Sequence, residues 1–183
     1  MIMTEELRFE EPHGEFRESY RELVREFQVA GERLVPFTLR FPCDDFDAFL
    51  ARLAACARGE GLPGGFVPHT TYWLVSGSTV VGLSNLRHHL TDSLRRDGGH
   101  IGYGVRPSAR RRGYARELLR RTLERAGAMG MAEVLVTCAK ANVASVRTIL
   151  GGGGVLTSEE FLPERDEIVQ RYRIDLAVRG RAP

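Results

Sequence analysis

From Gly104 to Leu119 the chain reads GVRPSARRRGYARELL, which sets a proline, three adjacent arginines and a glycine immediately before a helix-like pattern. The preceding HIGYGV reads as a strand and the following ARELLRRTLERAG as a helix, so the arginines fall on a strand-to-helix junction. There the free amides and the positive dipole end of the first helical turn converge on one spot, which makes an anion site. Gly113 lets a backbone approach a ligand or take positive φ, and Ala115 leaves that approach clear. Neighbouring arginines repel by about 1 to 4 kcal/mol per close pair unless solvent or an anion intervenes, and a pyrophosphate would relieve this.

Two common phosphate readers are absent. The sole lysine, Lys140, follows Ala139, so G-x-x-x-x-G-K-[ST] does not occur. GYGVRP puts Pro107 where a dinucleotide fingerprint needs its third glycine. For proton transfer near neutral pH the candidates are His88 and His89 after a predicted strand, His100 at the start of the motif strand, and Glu133 at the start of the next. Each also fits an ordinary loop or surface residue. His88 and His89 do not form a metal pair, because adjacent strand residues point to opposite faces and no third ligand is near in sequence. Cys138, at the end of an apolar strand, suits either an acyl carrier or a small core filler. Cys43, Cys56 and Cys138 are scattered without a C-x-x-C pair, so neither a disulfide framework nor a zinc site is expected.

The elements that must position these residues read as a mixed α/β order. Phe16, Tyr20, Leu23, Val24 and Phe27 fall at helical intervals, and DDFDAFLARLAACARG combines an acidic first turn, an apolar stripe and a terminal Gly59. Two helices are thus expected to open the chain. TTYWLV and TVVGLSNLRHHL flank a SGS turn as antiparallel strands. HIGYGVRP, the motif helix and AEVLVTCA form a βαβ unit, the last strand apolar enough to be buried on both faces. A short helix NVASVRTIL, stopped by Gly151 to Gly154, precedes two closing strands, GVLTSEEFL and EIVQRYRIDL.

With 183 residues, 43% of them hydrophobic and 27% charged, the chain has the makings of one domain over 1–183, a helical part over 1–68 and a sheet over 69–183. No apolar run reaches a membrane span, and MIMTEELRFEEPHGEF is acidic where a secretory signal is basic and then apolar, which predicts a cytoplasmic protein. The net charge of +2 conceals a polarity: residues 1–60 carry a net −5, whereas Arg95 to Arg125 carry +7. The basic segment calls for an anionic partner or a solvated face.

The spacing Val105, Pro107, Arg110, Gly113, Ala115 resembles motif A of the GNAT superfamily of acyl-CoA-dependent N-acyltransferases, in which a strand ending V-x-P runs into [RQ]-x-x-G-x-[GA]. The resemblance extends from about Tyr72 to the end. It implies a GNAT-like fold: a central mixed, mostly antiparallel sheet with a splayed parallel strand pair and flanking helices. It implies acetyl-CoA as co-substrate, no metal, and acetyl transfer to a small-molecule or peptide amine by direct attack in a ternary complex. Backbone groups near Gly104 and Val105 would bond the pantetheine arm and face the thioester oxygen. Amides of Arg111, Arg112, Gly113, Tyr114 and Ala115 would cradle the pyrophosphate, with Arg110 or a neighbouring arginine adding charge. Asn142 and Ser145 on the following helix would face the co-substrate, although Asn142 equally suits an N-cap.

Many members of the family carry a tyrosine seven residues beyond that asparagine, and here the position is Ile149. Tyr172 on the last strand is a substitute acid or a half-buried strand residue. The acidic N-terminal helices, if they wall the acceptor pocket, favour a cationic amine, although Glu15, Glu18, Glu22 and Glu26 also fit a solvated face. The resemblance leaves room for a homodimer and involves neither nucleic acid nor membrane. Two other readings fit the residues: a sensor that binds acyl-CoA without catalysis, and a basic nucleic-acid-binding module resting only on the Arg95 to Arg125 run.

Overall fold

The structure is a computed structural model that describes residues 6–177. The two helices expected from apolar spacing are α1 (Arg17–Val29), which buries Tyr20, Leu23, Val24 and Phe27, and α2 (Phe46–Arg58), which buries Phe46, Phe49, Leu53 and Cys56. Asp45 caps α2 by accepting the Ala48 N–H at 3.0 Å, and Gly59 ends it in the left-handed region. These helices do not open the chain. A strand, β1 (Leu7–Glu10), precedes them and pairs antiparallel with β2 (His69–Ser76), so the part read as helical gives the sheet an edge. All four β1 residues are half-buried, and without alternation the strand owes its existence to the β2 edge it covers. Residues 1–5 and 178–183, included in the expected domain, lie outside the described residues.

The strands form two antiparallel sheets. The first runs β1-β2-β3-β4, with β3 (Thr79–Arg87) and β4 (Ile101–Val105); the second runs β5-β7-β6, from β5 (Glu133–Ala139), β6 (Val155–Leu162) and β7 (Glu167–Asp175). The sheets meet where β4 and β5 lie side by side without a ladder, which is the expected splay. β5 departs from expectation. Val134 and Val136 are buried, but Leu135, Thr137 and Cys138 are only partly so, because this strand borders an open gap instead of a paired neighbour.

Helix α4 (Tyr114–Ala128) packs Leu118, Leu119, Leu123 and Ala126 inward on the sheets. Buried Thr122 on α4 meets Ser84 of β3 at 2.7 Å, so the polar pair is satisfied within the core. α1 and α2 cover the opposite face through stacked Tyr20, Phe49 and Trp73. Being covered on both faces, β2 is buried along its whole length. The second sheet packs Val136, Tyr172 and Ile174 against α4 and α5 (Val143–Gly151). A short helix not anticipated from the sequence, α3 (Asp92–Arg96), is capped by Thr91 and leads into β4.

Candidate functional site

The gap between the sheets begins at β4. Its paired edge is fixed by the Arg87 N–H to His100 C=O bond at one end and the Arg106 N–H to Val81 C=O bond at the other. In an antiparallel ladder such bonds recur at every second residue, so the backbone groups of Gly102 and Gly104 face β3. Those of Ile101, Tyr103 and Val105 face the gap. Among the described residues one backbone bond crosses it, His100 N–H to Leu135 C=O at 2.7 Å. The missing side chain of Gly104 serves a different purpose. A Cβ there would lie 2.2 Å from the Val35 carbonyl oxygen and 3.1 Å from the Phe27 ring, so glycine lets the segment between α1 and α2 close over β4.

Beyond Val105 the chain makes a 3-10 turn, Pro107–Ala109, and then a loop in which Arg111 has φ 65° and Gly113 φ 84°. This alternation of handedness turns successive amides toward one side as a nest. Helix α4 begins at Tyr114 with Glu117 N–H bonded to Gly113 C=O, and the amides of residues 111–115 have no backbone acceptor among the described residues. A Cβ at Gly113 would meet nothing within 4 Å, so the mouth of the nest is open.

The loop is gripped from α1. Arg106 donates to Glu26 at 2.6 Å and Glu22 at 3.0 Å, and Ser108 gives Glu26 both its amide and its hydroxyl. Burial works against ionisation of Glu26, but the Ser108 amide and Arg106 outweigh it and hold the carboxyl below its ordinary range. Arg110 forms a two-pronged pair with Glu32 at 2.6 and 2.7 Å. Its charge is thereby committed, and the cleft cations without an ion pair at this end are Arg111 and Arg116. Arg112 is exposed and does not line the cleft.

The gap and the nest open into one cleft of about 940 Å³. Gly104, Val105, Arg110, Arg111, Gly113, Tyr114, Ala115, Asn142 and Ser145 all line it, so the residues expected to hold one ligand are brought together apart from Arg112. Asn142 accepts the Ser145 N–H at 3.1 Å and caps α5 while facing the cleft. The Ser145 hydroxyl meets the Tyr103 hydroxyl at 2.8 Å. Burial pushes the Tyr103 phenol up to about 12.

The residues considered for proton transfer lie elsewhere: His88, His100, Glu133 and Tyr172 do not line the cleft. His88 Nε2 is 2.9 Å from the Thr70 hydroxyl. His100 accepts the Leu135 amide on Nδ1 at 2.9 Å, and burial and nearby arginines hold it down to about 4, so it is a neutral stitch between the sheets. Glu133 is exposed 3.6 Å from Arg173, at the far end of β5. Tyr172 is 2% exposed and donates to Gln170 at 2.6 Å. Ile149 is fully buried in the core, so a phenol there would face packing and not the cleft. Cys138 does line the cleft, where burial raises its thiol.

The opposite end of the cleft holds residues that no sequence motif singles out: Phe37 and Arg40 from the segment between the first helices, Arg87 at the end of β3, and Asp97, Arg165 and Glu167. Their side chains come from four separate segments, so no local spacing marks them. The acidic residues of α1 do not wall this end; Glu22 and Glu26 instead bind the loop after β4. Among the described residues no helix is long and apolar enough to cross a membrane, and no cluster of potential metal ligands occurs.

Residues 16–153 match the family model described as an acetyltransferase (GNAT) domain. No curated protein matches the chain by sequence. Among solved structures, YncA of Salmonella typhimurium, determined with its cofactor acetyl-CoA, is 14% identical with a TM-score of 0.60, over 93% of this chain and 94% of that one. The spermidine N-acetyltransferase of Vibrio cholerae is 16% identical with a TM-score of 0.62, over 93% and 94%. A Salmonella typhimurium acetyltransferase that modifies the N-terminal serine of ribosomal protein L7/L12 is 12% identical with a TM-score of 0.67, over 92% and 94%.

Proposed function

The chain belongs to the GNAT acetyltransferase family, and from that premise we propose that it transfers an acetyl group from acetyl-CoA to an amine held in the same cleft. The observation that carries this reading is the continuity of the open β4 edge with the nest at the start of α4. A ligand with an amide-rich arm and a pyrophosphate is matched by just such a pair of features. The Val105 backbone extends the arm as an added strand would be extended. The amides of residues 111–115 take the pyrophosphate, and Arg111 and Arg116 supply the charge that Arg110 has given to Glu32.

The thioester supplies the activated acetyl group. The Tyr103 hydroxyl, positioned by Ser145 and still protonated at neutral pH, donates a hydrogen bond or a proton to the departing sulfur, the task Ile149 cannot perform. The neutral amine attacks the thioester carbonyl, the C–S bond breaks, and the proton that the nitrogen sheds passes to water in the cleft, because Asp97 and Glu167 are held in ion pairs by Arg165 and Arg33. Deprotonated amine, aligned by the cleft, then needs no dedicated imidazole base.

Thermal unfolding with and without acetyl-CoA tests the reading. At 100 times its dissociation constant the ligand stabilises the fold by about 2.7 kcal/mol. Gly113→Glu, with a side chain filling the open nest, is expected to abolish that shift. Gly113→Ala pays only the backbone cost of positive φ, about 1 to 2 kcal/mol, and retains most of it. No shift at millimolar acetyl-CoA would overturn the reading. The basic nucleic-acid reading is not favoured, since half of the ten arginines from Arg95 to Arg125, namely Arg96, Arg106, Arg110, Arg120 and Arg121, are paired with glutamate.

A further inference from the structure

The end of the cleft away from the nest carries more positive charge than its own carboxylates can balance. Four arginines line it, Arg33, Arg40, Arg87 and Arg165, against Asp97 and Glu167. Arg165 bridges Asp97 and Glu167, and Arg33 lies 3.5 Å from Glu167, so both acids are already paired. Glu32, the remaining acid of the cleft, is held by Arg110.

Arg40 and Arg87 are left over. Arg40 is exposed at the end of the 3-10 turn Phe37–Arg40 and has no ion pair or hydrogen-bond acceptor among the described residues. Arg87 gives its Nη1 to the carbonyls of Gly98 and Gly99, at 3.0 and 2.8 Å, which fixes the guanidinium while leaving its other nitrogens without a protein acceptor among the described residues. The guanidinium lies over the Phe37 ring, 5.3 Å from its centre. Burial lowers it to about 10, so at neutral pH it keeps its charge. A half-buried, geometrically fixed cation with free donors is well suited to take a planar or tetrahedral oxyanion. Pro36, Val35 and Ile101 line the space beside it with apolar surface suited to a short carbon skeleton.

We propose that the acceptor is a small primary amine bearing a carboxylate or a phosphate, its oxyanion seated against Arg87 and Arg40 while its amine faces the thioester. The inference rests on the acetyl-transfer reading and narrows its acceptor. A polyamine would bring further positive charge to a surface that already holds two unbalanced arginines, and is disfavoured.

Initial rates at saturating acetyl-CoA with ethanolamine, O-phosphoethanolamine, β-alanine and spermidine test this. One or both anionic amines are expected to exceed ethanolamine in kcat/KM by about tenfold or more, the scale of a charge-assisted hydrogen bond, with spermidine lowest. The two anionic amines separate phosphate from carboxylate recognition. Arg40→Gln and Arg87→Gln are expected to bring the ratio of anionic to neutral amine toward one, chiefly through KM. Arg120→Gln, which removes the same charge from the outer face of α4, leaves the ratio as it is. Arg87 also holds the turn before β4, so Arg40→Gln at its exposed position remains decisive if the Arg87 variant does not fold. Preference for ethanolamine or spermidine, a ratio unmoved by Arg40→Gln, or an acetyl-CoA shift with no transfer to either anionic amine overturns the inference and leaves the acetyl-transfer reading intact. Absence of any acetyl-CoA shift overturns that reading itself.

Discussion

His100 and Gly104 show how much a single residue contributes to this cleft without touching its contents. His100 stays neutral because burial and the nearby Arg95 and Arg87 disfavour its charge, while its Nδ1 accepts the Leu135 amide. In the unfolded chain it titrates near 6.5, so the unfolded state binds more protons between that pH and about 4. Stability is therefore full above about pH 6.5, declines as the pH falls toward 4 and levels off below it. His69, also held down to about 4 by burial and the nearby Arg87 and His88, adds to the same slope. His100→Ala should flatten part of that slope in urea titrations and cost about 1 to 3 kcal/mol at neutral pH, since the Leu135 amide loses its acceptor. A slope unchanged by the substitution would show that His100 is not held neutral. Tyr103→Phe should lower kcat while leaving the acetyl-CoA shift in place, and Ser145→Ala should do so more weakly. At this scale the sequence was legible where backbone does the binding, because Val105, Gly113 and Ala115 are specified by spacing. Arg40 and Arg87 were not, because their significance lies in the partners they lack.

The helices hold the site through charges on their faces more than through their dipoles. On α1, Glu22 and Glu26 looked in sequence like a solvated stripe, but they reach across to Arg106 and Ser108 and fix the entry to the nest. Glu26→Ala should cost about 1 to 3 kcal/mol, by stranding the Ser108 amide and half of the Arg106 fork, and should weaken acetyl-CoA binding in calorimetry. Unaltered affinity would mean that the nest holds its shape unaided. On α4, hydrogen bonds from Arg120 hold Glu117 down to about 2, with further support from Arg121. Its ordinary value is 4.5, so its contribution is complete above that pH and disappears as the pH falls through about 2. Acid titration of Glu117→Gln should lack this segment of the curve. Helices α1, α2, α4 and α5 were readable from apolar spacing and end signals such as Gly59 and Asn142. β1 was not, for LRFE has no alternation and is recruited by the edge of β2.

Across the whole molecule, the charge polarity read along the chain is largely an internal matter. The acidic first third and the basic segment from Arg95 to Arg125 face one another: Glu22, Glu26 and Glu32 pair with Arg106 and Arg110. Arg96, Arg120 and Arg121 pair with glutamate as well, so half of the segment's ten arginines are balanced within the molecule, and DNA titrations should show neither tight binding nor a steep salt slope. A steep slope insensitive to coenzyme A would contradict this. If the described residues form one domain, with β2 and β3 giving Trp73 and Leu83 to one core and Tyr72 and Leu86 to the other, heat should unfold them in one transition. The two-sheet division was legible only through resemblance, since no local pattern in HIGYGV or AEVLVTCA says that the strands lie adjacent yet fail to pair.

That failure to pair also bears on how long the protein survives. A strand edge with unused amides and carbonyls is a template for other extended chains and an entry point for proteases. Among the described residues one backbone bond, from His100 to Leu135, and a few side-chain bonds bridge it, so without an occupant the seam is where local opening should begin. An occupant lying along Val105 closes the edge while it binds. Amide exchange at Tyr103 and Val105 should then slow on adding acetyl-CoA, and cleavage near the seam should slow with it, so that turnover of the chain follows the supply of the molecule it uses.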